Sequence, residues 1–272
     1  MPPTGLPTAS ASSSRTQRSS PAQGSARVQG SAKTQRSART QVSSRAPYSK
    51  RAARRRARRK SGQRLFAFDR ALGVRLVAGA DEAGRGCLAG PLVAAGVLFD
   101  YERLTTRELC ALATLNDSKQ HKAEAREELY PLVLSAALRV TVVSRCVQGI
   151  DSRGLHKTNL AALRDAIRGV TSGIDGEVMC LTDGFAVPEF ERPHRPIVNG
   201  DATSASIAAA SIVAKVTRDR YMHHADEMHP GWSFAEHVGY STPVHREAIV
   251  RQGVSPLHRM SFQSLAYQQL AL

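Results

Sequence analysis

Four acidic residues stand beside glycines or turns, at positions where a carboxylate group can reach a bound ion. Asp81 and Glu82 are adjacent and follow a short apolar run, whereas Asp183 and Asp201 each lie next to a glycine. Carboxylate oxygens are ligands that suit Mg²⁺ and Mn²⁺. Two such ions about 4 Å apart can clamp the attacking and leaving oxygens of an in-line phosphoryl displacement. A single Asp-Gly pair is more often a simple turn, and spacing alone does not bring the four acids together.

A glycine-flanked arginine follows the first two acids, in the order Gly84-Arg85-Gly86. Glycines permit positive φ angles and let a ligand approach the backbone closely. The stretch therefore predicts a divalent-metal site beside a phosphate-contacting loop, and a capped turn between two strands is the alternative. Adjacent side chains of a strand point to opposite faces, so Asp81 and Glu82 can share one ion only where the strand frays or bends. The glycine-arginine turn is the expected place for that bend.

The elements that must position these residues are apolar runs that alternate with helical stretches. About a dozen residues separate the first two runs, which is too few for a helical crossover, so we expect an antiparallel pair. Strands mixed with helices predict an α/β fold with a mixed sheet. The predicted strands are 76–80, 92–99, 138–146, 178–182 and a short piece at 197–198; the predicted helices are 121–134, 158–168 and 204–221, with a lead-in at 65–73 and a helical end from 243.

The positive charge of the chain is concentrated at its start. The 272 residues have a net charge of +15, and residues 1–64 hold thirteen Arg, three Lys and no acidic residue. The remaining 22 of the 38 basic residues therefore face all 23 acidic ones in a nearly neutral body, which is long enough for one domain with a core. The body is expected to be the catalytic domain, 65–272.

The tail, residues 1–64, is rich in Ser, Ala and Arg and nearly free of large apolar side chains. Such a composition cannot offset the conformational entropy of folding, so we expect disorder. Three interpretations of its role stay open: a tether that attracts phosphate backbones irrespective of sequence, an organellar transit peptide and an over-extended gene model.

Cysteine spacing and hydropathy argue against a zinc-binding, membrane-spanning or secreted protein. Four widely spaced cysteines with no zinc-ligand pattern indicate reduced thiols in a cytoplasmic protein. No stretch approaches the roughly 18 apolar residues of a membrane span, and the start of the chain lacks the apolar core of a secretory signal. We expect a monomer that works on nucleic acid and not at a membrane.

Several short motifs surround the four acids. Ser118 or Asp117 is a natural N-cap for the helix that follows, and Lys119 is either a phosphate contact or an ordinary surface lysine. The motifs are Gly79-Ala-Asp81-Glu82-Ala-Gly84-Arg85-Gly86 with Ala89-Gly90-Pro91, Leu115-Asn-Asp-Ser118-Lys119, Thr182-Asp183-Gly184, Gly200-Asp201-Ala with Ile207-Ala-Ala-Ala-Ser211-Ile-Val-Ala-Lys215-Val, Arg218-Asp219, Gly239-Tyr240 with Thr242 and His245, and His258-Arg259 with Ser261-Phe262.

In this order the motifs resemble those of bacterial ribonuclease HII, a type 2 ribonuclease H, over about residues 75–265. The resemblance implies a ribonuclease H-like α/β fold, with a mixed five-stranded sheet flanked by helices and a helical C-terminal part. It also implies an endonuclease that cleaves the RNA strand of RNA–DNA hybrids and nicks 5′ to single ribonucleotides embedded in duplex DNA. Similar enzymes leave 5′-phosphate and 3′-hydroxyl ends by a two-metal mechanism that uses Mg²⁺ or Mn²⁺.

The same resemblance implies roles for individual residues. Asp81, Glu82 and Asp183 match the metal-binding carboxylates, and Asp201 completes the catalytic set. The backbone of the Gly84-Arg85-Gly86 turn matches the part that reads the ribose 2′-hydroxyl. Tyr221 matches a substrate-binding tyrosine that stacks on the deoxyribose at the RNA–DNA junction. The substrate-binding set also includes three contacts to the phosphate backbone, Lys119, Ser211 and Lys215.

Two departures and two competing functions accompany the resemblance. Cys87 stands where Pro or Ala is expected, and the tail has no counterpart in the family pattern. Asp219, Tyr240, His245, His258 and Arg259 match motif positions but are expected to serve structure. One competing function is a nucleic-acid-binding protein that acts through its basic tail and has an inert body; the other is a nuclease of the same fold that cuts DNA.

Overall fold

The structure is a computed structural model that describes residues 61–262 and 264–268. The predictions for residues 1–60 therefore lie outside the described residues, whereas 61–64, predicted as the end of the disordered tail, are helical. The lead-in expected to hold one helical turn is a longer helix, α1, at 61–70, and it buries Leu65 and Phe66 against the core.

A five-stranded mixed sheet forms the centre of the fold. Its order is β3-β2-β1-β4-β5, with antiparallel pairing of β1 with β2 and of β2 with β3, and parallel pairing of β1 with β4 and of β4 with β5. The predicted antiparallel first pair and the mixed α/β sheet are confirmed. The strands are β1 Leu76–Ala83, β2 Leu92–Asp100, β3 Arg139–Arg145, β4 Val178–Asp183 and β5 His194–Ile197.

Helices cover both faces of the sheet and continue into the C-terminal part. Three short helices, at 106–111, 147–153 and 234–237, were not predicted, because each is too short to show a helical period. The helices after α1 are α2 Thr106–Ala111, α3 Ala123–Ala136, α4 Val147–Arg153, α5 Leu155–Thr171, α6 Ala205–Met228, α7 Phe234–His237, α8 Pro243–Gln252 and α9 Leu265–Gln268, and 3₁₀ turns lie at Ser118–Gln120 and Gly200–Ala202.

The long helix α6 packs on one face of the sheet and α5 packs on the other. Ser204 caps α6, since its side chain accepts a hydrogen bond from the amide of Ile207. Alanines along α6 lie against alternate residues of β2, and a Cβ at Gly79 of β1 would come within 2.3 Å of the Ile207 nitrogen. This close approach holds α6 flat against the strand that carries the first two acids.

Strand β1 runs three residues further than predicted, so that both acids lie inside it. Asp81 and Glu82 pair with Ala95 and Ala94 of β2, and no fraying occurs at the acids because β2 continues as a partner up to Val93. The parallel pairing with β4 already stops at Ala80. The two acids therefore stand on opposite faces of β1, beside the end of β4.

Candidate active site

Asp81 lies on the face of the sheet that α6 covers. Its side chain is 5% exposed, and Oδ1 accepts a hydrogen bond of 2.7 Å from the amide of Glu82. Burial raises the pKa of Asp81 well above its usual value, and the charges of Glu82 and Asp183 raise it further, while the Ser211 hydroxyl on α6 opposes the rise. A carboxyl group in this position favours an arriving cation, since the cation relieves both costs.

Glu82 points to the opposite face, toward the start of α5. Burial raises the pKa of Glu82 to about 7, and the charge of Asp183 adds to the rise. Arg85 opposes it, with Nη1 at 3.9 Å from Oε1. Within the described part of the chain, the buried Oε2 atom has no hydrogen-bond partner.

The amide of Asn159, on α5, is the other polar group beside Glu82. The side chain is fully buried, and its proximity helps to hold the pKa of Glu82 down. Neither its nitrogen nor its oxygen completes a hydrogen bond among the described residues. Sequence reasoning missed Asn159, because nothing in the pattern of α5 distinguishes it from a helix residue that faces the core.

Asp183 and Asp201 are brought together by the turn after β5. Asp183 is the last residue of β4, and its Oδ1 accepts a 2.7 Å hydrogen bond from the amide of Gly200, which opens the 3₁₀ turn that carries Asp201. Burial raises the pKa of Asp201 to about 6, and the charges of Asp117 and Asp183 contribute to the rise. The Lys119 ammonium group lies 3.7 Å from Asp201 Oδ2.

A cavity of about 360 Å³ connects most of these residues. It gathers three of the predicted acids, the glycine-arginine turn and the predicted phosphate contacts. Asp201 is not part of its lining and is joined to it through Lys119, and Tyr221 lies further along α6, with 44% of its surface exposed. The lining residues are Asp81, Glu82, Ala83, Gly84, Arg85, Gly86, Ser118, Lys119, Asp183, Ser211, Lys215 and Tyr240.

The polar side chains of α6 are held by specific partners. Ser211 and Ser118 share a buried hydrogen bond of 2.8 Å, which ties the 3₁₀ turn at Ser118–Gln120 to the helix. Lys215 donates to Asp219 Oδ1 at 2.6 Å and lies 5.4 Å from the ring centre of Tyr240. Burial lowers the pKa of Lys215, and the Asp219 carboxylate opposes that change.

The glycine-arginine turn projects into the same cavity. Gly84 has a φ angle of +87°, and the Arg85 guanidinium lies over the Phe185 ring at 4.6 Å. Gly86 is exposed, and a Cβ placed there would meet no atom within 4 Å. A ligand can therefore approach the backbone of the turn directly.

The acids fit a hard divalent cation by their chemistry. They supply carboxylate oxygens, burial raises the pKa of Asp81 and of Glu82, and one oxygen of Glu82 has no described partner. Among the described residues, however, no three His, Cys, Asp or Glu side chains are grouped closely enough to enclose an ion. This is consistent with Mg²⁺ chemistry, because that ion retains several waters and is completed by substrate phosphate oxygens.

The histidines of the matched motifs lie outside the cavity lining. His245 and His258 are buried with their Nε2 atoms 3.1 Å apart, and burial lowers the pKa of each to about 4. His237 stacks on His245 at 4.1 Å between ring centres. These rings are neutral packing groups, as expected for His245 and His258.

No helix among the described residues is long and apolar enough to cross a membrane.

Comparisons with known proteins match most of the described residues to one family. Residues 78–265 match the family model described as Ribonuclease HII. The ribonuclease HII of Rhodococcus erythropolis is 46% identical over 194 residues, which cover 71% of this chain and 82% of that protein.

Solved structures share the fold. The ribonuclease H2 of Pyrococcus horikoshii OT3 has a TM-score of 0.58 and 25% identity, over 72% of this chain and 96% of that one. Bst-RNase HIII in complex with Mn²⁺ has a TM-score of 0.54 over 78% of this chain and 72% of that one, and at 19% identity it supports the fold alone.

Proposed function

The chain belongs to the ribonuclease HII family, and from this premise we propose how its cavity recognises and cuts a substrate. The protein is a metal-dependent endoribonuclease that cleaves RNA in RNA–DNA hybrids. We propose further that it nicks 5′ to a single ribonucleotide in duplex DNA and leaves 5′-phosphate and 3′-hydroxyl ends. The observation that carries this proposal is the shared cavity of acids, glycine-arginine turn and phosphate-binding side chains.

Asp81, Glu82 and Asp183 are the proposed holders of Mg²⁺ or Mn²⁺, and Asp201 completes the catalytic set. When bound, such ions activate water and stabilise the charge that develops on the leaving 3′-oxygen. The acids themselves must be ionised to act. The raised pKa values of Asp81, Glu82 and Asp201 mean that these three acids give up protons as the cation arrives, so cation binding is expected to release protons.

Selectivity for ribose is proposed to reside in the turn of Gly84, Arg85 and Gly86. A protein distinguishes RNA from DNA through the 2′-hydroxyl, and the exposed Gly86 backbone offers close access to it. Tyr221 is proposed to stack on the deoxyribose beside the ribonucleotide, for which its partial exposure on α6 leaves room.

Lys119, Ser211 and Lys215 are the proposed contacts to the phosphate backbone. Lys119 has a side chain that is 79% exposed, so it can turn from Asp201 toward a phosphate. Lys215 is held by its hydrogen bond to Asp219, so its charge is already positioned and its side chain loses little conformational entropy when a phosphate binds. A monomeric state stays a prediction. A cytoplasmic location stays a prediction.

The test compares three duplexes in Mg²⁺ and in Mn²⁺: one with an embedded ribonucleotide, one RNA–DNA hybrid and one of DNA alone. Wild-type protein should cut the first two and leave the third intact, and Asp81→Asn should lose at least about a hundredfold in rate, in line with removal of an electrostatic catalytic group. Cleavage of plain DNA would favour a DNA nuclease. Binding without cleavage of any duplex would favour the inert body with a basic tail.

A further inference from the structure

Two arginines are fully buried beneath the glycine-arginine turn, and neither forms an ion pair with a described residue. Arg259, which the mechanism does not use, donates from Nε and Nη2 to the carbonyl oxygen of Gly90 at 3.0 and 2.8 Å, and from Nη1 to that of Arg85 at 3.1 Å. Arg218 donates to the carbonyls of Pro91, Ala89 and Val238 at 2.8 to 3.0 Å.

This arrangement costs free energy that core packing alone would not require. Burial lowers the pKa of Arg259 to about 10, which still leaves the side chain charged at neutral pH. Burying a charged group costs free energy unless its hydrogen-bond donors are satisfied. The guanidinium N–H groups of Arg259 donate to backbone carbonyls of one loop. Phe262 lies under the same guanidinium at 5.2 Å.

The bond to Arg85 has a specific consequence because of where that carbonyl sits. The amide of Cys87 bonds to the Gly84 oxygen at 3.4 Å, so Arg85 and Gly86 are the two central residues of a β-turn. The peptide between them is the unit that rotates by roughly 180° when a type I turn becomes type II. Glycine at the third position of a turn permits both forms, and Gly86 has no positive φ angle here.

Holding the carbonyl fixes the amide on the other side of the same plane. In a trans peptide the C=O and N–H groups point in opposite directions. Because Arg259 holds the Arg85 oxygen from the interior, the Gly86 N–H is directed outward. Gly86 is exposed and lines the cavity, and its amide makes no hydrogen bond to other described residues.

We propose that Arg259 is a positioning residue that locks the central peptide of this turn, so that the Gly86 N–H faces the ribose 2′-oxygen of the substrate. Arg218 supports the same loop from α6, and a Cβ at Gly84 would come 2.0 Å from its Nε. Arg259 touches neither substrate nor acids and acts through the turn alone. The inference rests on the proposed role of the turn in reading the sugar.

The test is the preference for ribose, measured as binding in an Asp81→Asn background that prevents cleavage. The dissociation constants of a duplex with one ribonucleotide and of the same duplex in DNA give the ratio of interest. Arg259→Lys keeps the charge but loses the planar fork, and it should reduce the ratio about tenfold, the value of one hydrogen bond. Affinity for the all-DNA duplex should stay unchanged.

Two further variants separate positioning from folding. Arg192→Lys is the matched control, since Arg192 also holds two backbone carbonyls, of Ile174 and Gly176, away from the cavity; it should leave the ratio unchanged. Phe262→Leu replaces the ring beneath the Arg259 guanidinium with a smaller apolar side chain and should lower the ratio by a smaller factor. If Arg259→Lys does not fold, this milder variant decides the question.

The outcomes distinguish this inference from the proposed function. A wild-type turn that shows no preference for the ribonucleotide would overturn the role of the turn itself. A wild-type preference that survives in Arg259→Lys or Phe262→Leu, with only the melting temperature lowered, would show that Arg259 is structural and would overturn the positioning role.

Discussion

Replacing Glu82 by Gln is expected to stabilise the metal-free protein at neutral pH while removing its nuclease activity. Burial beside Asp183 raises the pKa of Glu82 from 4.5 to about 7. At about 1.36 kcal/mol for each pKa unit, the ionised side chain costs the folded state up to about 3 kcal/mol above pH 7. Gln has nearly the same shape and carries no charge, so it avoids this cost.

The pH dependence gives the prediction its sign. Because the pKa of Glu82 is raised on folding, its stabilising contribution is fully present below pH 4.5 and is lost as the pH rises through about 7. The difference in unfolding free energy between Glu82→Gln and wild type should therefore be near zero at pH 4.5. The difference should grow to about 3 kcal/mol by pH 8. The histidines titrate in both proteins, so their contributions cancel when the two unfolding free energies are subtracted.

Urea unfolding in the presence of a chelator, at several pH values, measures this difference. Glu127→Gln is the control, because Glu127 is an exposed partner of Arg220 and such pairs contribute no more than about 1 kcal/mol. On addition of Mn²⁺ the order should reverse, since only wild type gains the stabilisation that comes from binding. A Gln variant less stable than wild type at pH 8 without metal would refute the reasoning, as would a difference independent of pH.

Three more outcomes are expected. Asn159→Leu should weaken Mn²⁺ binding, measured by calorimetry, at unchanged or higher stability, because it removes a buried amide without described partners beside Glu82; lower stability with intact Mn²⁺ affinity would assign the amide to folding. Tyr221→Ala should reduce cleavage at single ribonucleotides by about tenfold or more, in line with the loss of one stacking contact, and equal rates would argue against stacking. Deletion of residues 1–60 should weaken duplex binding and flatten its salt dependence without moving the cleavage site, whereas a shifted site would show that the tail reads more than charge.

The sequence was sufficient for the outline of the fold and for the position of the first two acids. The short connection between the first two apolar runs required an antiparallel pair, and the structure confirms it. The end of β1 was predicted wrongly, since the apolar run stops at the two acids and the glycine-arginine turn follows at once. Only the pairing with Val93–Ala95 shows that the strand continues to Ala83.

Contacts between distant parts of the chain could not be predicted. The alternation of a strand places Asp81 and Glu82 on opposite faces, but it does not reveal that α6 covers one and α5 the other. The bond from Arg259 to Arg85 joins residues 174 positions apart, and no local pattern encodes it. The motif His258-Arg259 marked the residue without indicating its partner.

Helix α6 sets the spacing between two of the proposed substrate contacts. Ser211 and Tyr221 are ten residues apart on this helix, and at 1.5 Å of rise per residue they are about 15 Å apart along its axis. Base pairs rise by about 3.4 Å, so a duplex that lies along α6 and contacts both residues would extend over about four base pairs between them. The footprint of the enzyme on this side of the cut is then a property of helix geometry. One extra helical turn inserted between the two residues would lengthen the footprint by between one and two base pairs.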